Sequence, residues 1–164
     1  MHPTKLPDPP LPDPDFPQLM AQLRARLHRY CARMAGSMLD GEDVVQETLI
    51  KANDSYDAEA VQNVEAWLFR IAHNAAMDFL RRRSREQAMF ADEDVDAMAD
   101  TQAEPADRRH VATAALRTFM RLAPAQRSTV ILADVLGYAI EEAAGVMGTT
   151  VPAVKAALHR GRAR

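Results

Sequence analysis

The residues best suited to do chemistry are cations near the end of the chain. Lys155, His159, Arg160 and Arg162 follow the turn Gly148-Thr149-Thr150, and no acid occurs from position 143 onward. A helix docked in a DNA major groove needs such a face, with positive groups for phosphates and a few side chains for base edges. Ala143, Ala144 and Met147 precede the turn, while Val154 and Leu158 follow it. Small alanines let two helices approach closely and glycine relieves the turn, which is the pattern of a helix-turn-helix. Covalent chemistry has no comparable signal. The five histidines (His2, His28, His73, His110, His159) are scattered, and no Ser/His/Asp or paired-carboxylate arrangement emerges. The chain therefore reads as a non-enzyme with no cofactor and no metal. His73 reads as a surface residue and Trp67 as a core residue.

Elements must hold that face in place. Six glycines and nine aromatics (five Phe, three Tyr, one Trp) disfavour a β-sandwich, and an apolar content of 48% is enough for packed cores. Apolar spacing of three and four residues predicts a helix over 18–35 through Leu19, Leu23, Leu27, Tyr30 or Cys31, and Met34, with Gly36 as its stop. A second helix starts at Asp40 as N-cap, buries Val44, Val45, Leu49 and Ala52, and ends in Asn53-Asp54-Ser55. A third runs over 64–83, capped by Asn63, with Trp67, Leu68, Ile71, Ala75, Phe79 and Leu80 on one face. A fourth spans 111–122, and Pro124 opens a fifth that reaches Gly137. The sixth lies around Ile140–Met147, and Thr149 or Thr150 caps the last. No segment has strand periodicity, so the expected fold is all-α, with two small helical domains joined by an acidic linker.

Charge is divided along the chain. The net charge of −3 conceals −2 over residues 1–17, +1 over 18–85, −8 over 86–107 and +6 over 108–164. Such asymmetry is a sign of partners. Seven of the ten prolines fall in residues 1–17, so that stretch reads as an extended tail that cannot hold a helix. The expected division is a tail over 1–17, one domain over 18–85, an acidic linker over 86–110 and a second domain over 111–164. A single Cys31 excludes an internal disulfide and suits a reducing cytosol. No apolar run approaches a membrane span, and the N-terminus has no signal-peptide core, so a cytoplasmic protein without membrane insertion is expected.

Two blocks together are more specific than a lone helix-turn-helix. DGEDVVQETLIKA at 40–52, followed by EAWLFRIAHNAAMDFLRRR at 65–83, resembles region 2 of the sigma-70 initiation factors of bacterial RNA polymerase. LAPAQRSTVILADVLGYAIEEAAGVMGTTVPAVKAALHRGRAR at 122–164 resembles region 4. The order and the intervening linker match the extracytoplasmic-function group, and the resemblance covers residues 18–164.

The resemblance implies roles for particular residues. Asp40, Glu42, Asp43, Gln46 and Glu47 correspond to the helix that docks on core RNA polymerase, and exposed acids suit a basic partner surface. Asn53, Ser55, Tyr56, Asn74 and Asp78 would read unpaired −10 bases by stacking and edge hydrogen bonds, with Arg70, Arg81 and Arg82 on phosphates. Lys155 and Arg160 would lead the −35 contact in promoter DNA, with Thr150 and His159 near the groove and Arg127 and Ser128 on phosphate. Asn53 stands where many members have tryptophan, and Pro152, Ala156 and Ala157 stand where Gly, Ser and Arg are common. The acidic linker would pass toward a channel that normally holds nucleic acid. The implied function is an alternative sigma factor that binds core polymerase and directs initiation at −10/−35 promoters. A non-initiating regulator that binds polymerase or an anti-sigma factor is the second reading. A plain dimeric helix-turn-helix regulator is a third, but it leaves the first block unexplained. Some members also carry a C-terminal regulatory domain.

Overall fold

The computed structural model describes residues 15–90 and 106–163. Those residues form α1 (Asp15–Ala35), α2 (Met38–Ser55), α3 (Val64–Met89), α4 (Ala106–Met120), α5 (Pro124–Val130), α6 (Ile140–Met147) and α7 (Val151–Arg162). A π-helical turn, Ile131–Val135, continues α5. The fold is all-α, and no strand occurs among the described residues. The proline-rich residues 1–14 and most of the acidic linker lie outside the described residues.

Local sequence explains the helix ends. Ser37, rather than Asp40, caps α2: its hydroxyl accepts from Asp40 N at 3.1 Å. Asp40 sits one turn inside, where its charge still favours the helix N-terminus. Asn63 caps α3 as expected, accepting from Ala66 N at 3.0 Å. Besides α2, three helices outrun their expected limits, and α4 begins at Ala106 rather than 111. α1 begins at Asp15, because Pro17 lies in the first turn, where a missing N–H costs nothing. α3 continues to Met89, through the start of the acidic stretch.

The first three helices pack as one bundle, and α1 and α2 approach closely at Gly41. A Cβ built there would lie 2.5 Å from Ala32 Cα, so only hydrogen fits. The core of this bundle is not separate from that of the C-terminal helices. Leu27, Tyr30, Leu68, Phe69 and Ala72 belong to the same contiguous buried cluster as Ile131, Leu132, Ala143 and Val154. The buried face of α3 is Leu68, Phe69, Ala72, His73, Ala75 and Ala76, shifted one position from the expected stripe. Trp67 and Ile71 are half-buried at its edge. His73 is buried at 6% exposure, against the expected surface position. It is covered because α5 packs against it.

Polar groups tie the two halves together inside this core. The Tyr30 hydroxyl lies 2.8 Å from His73 Nδ1 and 2.9 Å from Ser128 Oγ, and His73 Nδ1 lies 3.1 Å from Ser128 Oγ. Arg127 is buried beside them. Its Nη1 donates to Met34 O at 2.5 Å, and its Nη2 donates to Met120 O at 2.8 Å and Leu122 O at 3.2 Å. Met34 and Met120 carry last-turn carbonyls of α1 and α4, which have no intrahelical partner and lie at the negative dipole end. One guanidinium thus ties off two helix C-termini. At the far edge, Glu65 accepts from both Arg26 and the Tyr138 hydroxyl, and Arg26 also lies over the Phe69 and Tyr138 rings.

Candidate functional site

Three exposed surfaces gather the expected residues. The first is the outer face of α2. Asp43 and Gln46 are exposed there, one turn apart. Leu39, 78% exposed, and Ile50, 61% exposed, continue the same stripe at four-residue spacing on either side. The face is therefore polar in the middle and apolar at both ends, which suits contact with another protein. Sequence patterning finds the acids but misses Leu39 and Ile50. The signal was their absence from the buried side of an otherwise amphipathic helix.

The other three acids expected to dock are engaged within the molecule. Asp40 accepts from Arg83 at 3.0 Å. Glu42 pairs with Arg24 and accepts from Gln46 Nε2 at 3.0 Å. Glu47 accepts from Lys51 at 2.7 Å and lies 3.4 Å from Arg82. The Lys51 hydrogen bond, opposed in part by burial, holds its carboxyl below the usual range. Asp40, Asp43, Glu47, Phe79, Arg82 and Arg83 line a cleft of about 420 Å³ between α2 and the end of α3. Glu47 and Arg82, expected to serve polymerase and DNA respectively, meet across it.

The second surface is a groove of about 470 Å³ where α2 ends against α3. Lys51, Asp54, Ser55, Ile71 and Asn74 line it. The structure brings Ser55 and Asn74 together, a hydroxyl and an amide able to meet the edge of an unpaired base. Asn53 is exposed beside them at the end of α2. Tyr56 follows directly, half-buried in an aromatic cluster with Phe16 and Trp67. Asp78 and Arg81 do not join this groove; they pair with one another at 3.0 Å. Arg70 is exposed, and its guanidinium reaches the Gly148 turn.

The third surface is α7. Gly148 ends α6 in the left-handed region at φ 63°, and Thr150 caps α7 by accepting from Ala153 N at 3.3 Å. Val154, Ala157 and Leu158 turn inward, so Ala157 is a packing residue. Thr150, Pro152, Ala153, Lys155, Ala156, His159 and Arg160 stay exposed. Arg162 forms a bidentate pair with Asp134, its Nε donating at 3.0 Å to one carboxylate oxygen and its Nη2 to the other. This pair braces α7 against the π-helical turn and lowers the Asp134 carboxyl.

Two expected DNA contacts are corrected. Arg127 and Ser128 are buried and make the internal bonds described above, so neither reaches a phosphate in this arrangement. They lie on the inward side of α5, where burial lowers the Arg127 guanidinium.

The described residues include no cluster of three His, Cys, Asp or Glu side chains that could hold a metal. No helix among them is long and apolar enough to cross a membrane. Cys31 is buried, and burial pushes its thiol up to about 12.

Comparison with known proteins places these surfaces in context. The sigma-70 region 2 family matches residues 19–86, and the sigma-70 region 4 family matches residues 113–164. The chain is 32% identical over 152 residues to the ECF RNA polymerase sigma factor SigE of Mycolicibacterium smegmatis, covering 91% of this chain and 59% of that one. It is 33% identical over 154 residues to the ECF RNA polymerase sigma factor SigM of Mycobacterium tuberculosis, covering 91% of this chain and 74% of that one. Among solved structures, the sigma factor RpoE of Bartonella quintana, in complex with the anti-sigma factor NepR, matches with a TM-score of 0.69 at 27% identity. That match covers 91% of this chain and 92% of the other. The chain spans roughly half to three-fifths of the length of the first curated relatives it matches.

Proposed function

The chain belongs to the extracytoplasmic-function group of the sigma-70 family, and from that premise we propose that it is an alternative sigma factor of bacterial RNA polymerase, acting in the cytoplasm. It binds core polymerase through α2, reads unpaired −10 bases in the α2–α3 groove, and reads −35 duplex through α7. Its part is recognition, with the bond-making chemistry left to the polymerase. One observation carries this reading. A groove lined by Lys51, Asp54, Ser55, Ile71 and Asn74 and a separate basic helix-turn-helix face are both exposed on one chain, in the order of regions 2 and 4.

The mechanism follows from residue chemistry. Asp43 and Gln46 present a charge and an amide to a basic partner surface, and Leu39 and Ile50 supply apolar contact at its two ends. Ser55, whose own hydrogen goes to Lys51 O, accepts at a base edge and Asn74 donates or accepts there, while Lys51 turns from Glu47 to a phosphate. Lys155 and Arg160 neutralise phosphates or donate to guanine edges, and Ala153 and Ala156 leave room for a thymine methyl.

The packed state described above cannot make both DNA contacts at once. Elements 25 base pairs apart are separated by about 85 Å at about 3.4 Å per pair. A single globule of this size has a radius of gyration of about 14 Å. The contacts of Tyr30, His73, Arg127 and Ser128 therefore belong to the free protein, and they open when polymerase spreads the two halves.

The test is assembly. The full chain is mixed with purified bacterial core polymerase and run by native electrophoresis, beside Asp43→Arg and Ile50→Glu variants. Binding by the native chain, weakened tenfold or more in both variants, supports the reading. Equal binding by all three contradicts the α2 assignment.

A further inference from the structure

The Phe16 ring lies on the Tyr56 ring with centroids 3.7 Å apart and planes 9° from parallel. Trp67 completes the cluster, 6.3 Å from Phe16 and 5.8 Å from Tyr56. Phe16 is only 4% exposed, so this stack anchors the start of α1. It is supplied by a residue that precedes the region 2 match, which begins at 19. Face-to-face stacking is the weaker arrangement for two benzenoid rings, because their quadrupoles oppose one another. A nucleobase, with its polar ring, is a better partner for the same tyrosine face.

The stack also adjoins the single-strand groove. Ser55, the neighbour of Tyr56, lines that groove with Lys51, Asp54, Ile71 and Asn74. Trp67, Ile71 and Asn74 follow one another along α3 at four- and three-residue spacing. The aromatic cluster and the α2–α3 groove therefore share one stripe of α3. A base drawn onto Tyr56 would find the Ser55 and Asn74 polar groups close by.

We propose that Phe16 is a stand-in for a DNA base: its ring holds the face of Tyr56 onto which an unpaired base stacks, and base capture displaces it. This rests on the reading of the α2–α3 groove as the single-strand site. The ring keeps the tyrosine face dry when no DNA is bound. Because a base must first displace it, every unpaired base binds more weakly than it would to a bare tyrosine face. Phe16 is thus an occluding residue of the single-strand site, carried by the first turn of α1.

The experiment titrates the full chain into a fluorescein-labelled, randomised 20-nucleotide single-stranded DNA and follows anisotropy. Native chain, Phe16→Ala, Phe16→Leu, Tyr56→Ala and the Phe16→Leu/Tyr56→Ala double variant are compared. Phe16→Leu keeps apolar volume where Phe16→Ala could unseat α1, and thermal melting checks that each variant folds. Emission of Trp67, the sole tryptophan, reports departure of the Phe16 ring. The expected result is binding about fivefold or more tighter for Phe16→Leu, with the gain abolished by Tyr56→Ala. Weakening by Tyr56→Ala with no gain from a folded Phe16→Leu overturns the stand-in while sparing the single-strand site. Binding that Tyr56→Ala does not alter, or that no variant shows, overturns both.

Discussion

The hydroxyls of Tyr30 and Ser128 lie 2.9 Å apart inside the core, 98 residues apart in sequence. With His73 Nδ1 within 3.1 Å of both, they make a closed polar triad between the two family-matched halves. Removing one hydroxyl by Tyr30→Phe leaves the His73–Ser128 contact in place, so the loss should be about 1 kcal/mol in urea unfolding. Arg127→Met should cost more, about 2–4 kcal/mol, because three backbone carbonyls lose their donor at once. A loss under about 0.5 kcal/mol for Arg127→Met would contradict its role in tying α1 and α4 to α5.

His73 makes the same region sensitive to acid. Burial, with a smaller contribution from the Arg81 cation, pushes its imidazole down from 6.5 to about 4. The unfolded chain therefore binds a proton between those two values that the folded chain does not. Stability rises with pH across that window and is lost as pH falls from about 6.5 toward 4. The loss should reach about 3 kcal/mol at the lower end. Melting at pH 7 and pH 5 checks this: the difference should shrink in His73→Gln. An unchanged pH dependence in that variant would assign the effect to other groups.

Gly41 tests the close approach of α1 and α2. A methyl there would meet the Ala32 backbone at 2.5 Å, and backbone cannot swing aside as a side chain can. Gly41→Ala should lower stability by about 1–3 kcal/mol in spite of its better helix propensity. A gain in melting temperature would contradict the packing described.

The exposed cations of α7 and the buried Arg127 of α5 should differ in their effect on DNA binding. Lys155 and Arg160 are exposed, whereas Arg162 is held by Asp134. Lys155→Ala and Arg160→Ala should each reduce the slope of log affinity against log salt for duplex DNA by about 0.9. Arg127→Met should leave that slope unchanged, because its guanidinium faces the core. Salt titrations of duplex binding measure this directly, and a reduced slope in Arg127→Met would restore it as a phosphate contact.

Much of this was legible in the sequence because helices announce themselves by spacing and caps. Asn63, Pro124, Gly148 and Thr150 all stand where the chain pattern puts them. The −35 candidates Lys155, His159 and Arg160 lie exposed, as a basic stripe on a short helix should. What stayed hidden were contacts between distant segments. Nothing local distinguishes Arg127 from a surface arginine, since its partners are carbonyls of Met34, Met120 and Leu122, which no side-chain pattern records. His73 looked polar and therefore exposed; only the arrival of Ser128 explains how it is buried with a partner. Phe16 sat among prolines, and its pairing with Tyr56 depends on how α1 crosses the loop after α2.

The most direct test of the central claim is transcription. Core polymerase is supplied with the full chain and a DNA library randomised at the −10 and −35 positions, and the transcripts are sequenced. The account predicts initiation that depends on the added chain, from templates enriched in one −10 and one −35 sequence, with the −35 preference lost in a Lys155→Ala/Arg160→Ala variant. Polymerase binding without sequence-selected transcripts would contradict it, as would a −35 preference that survives the double substitution.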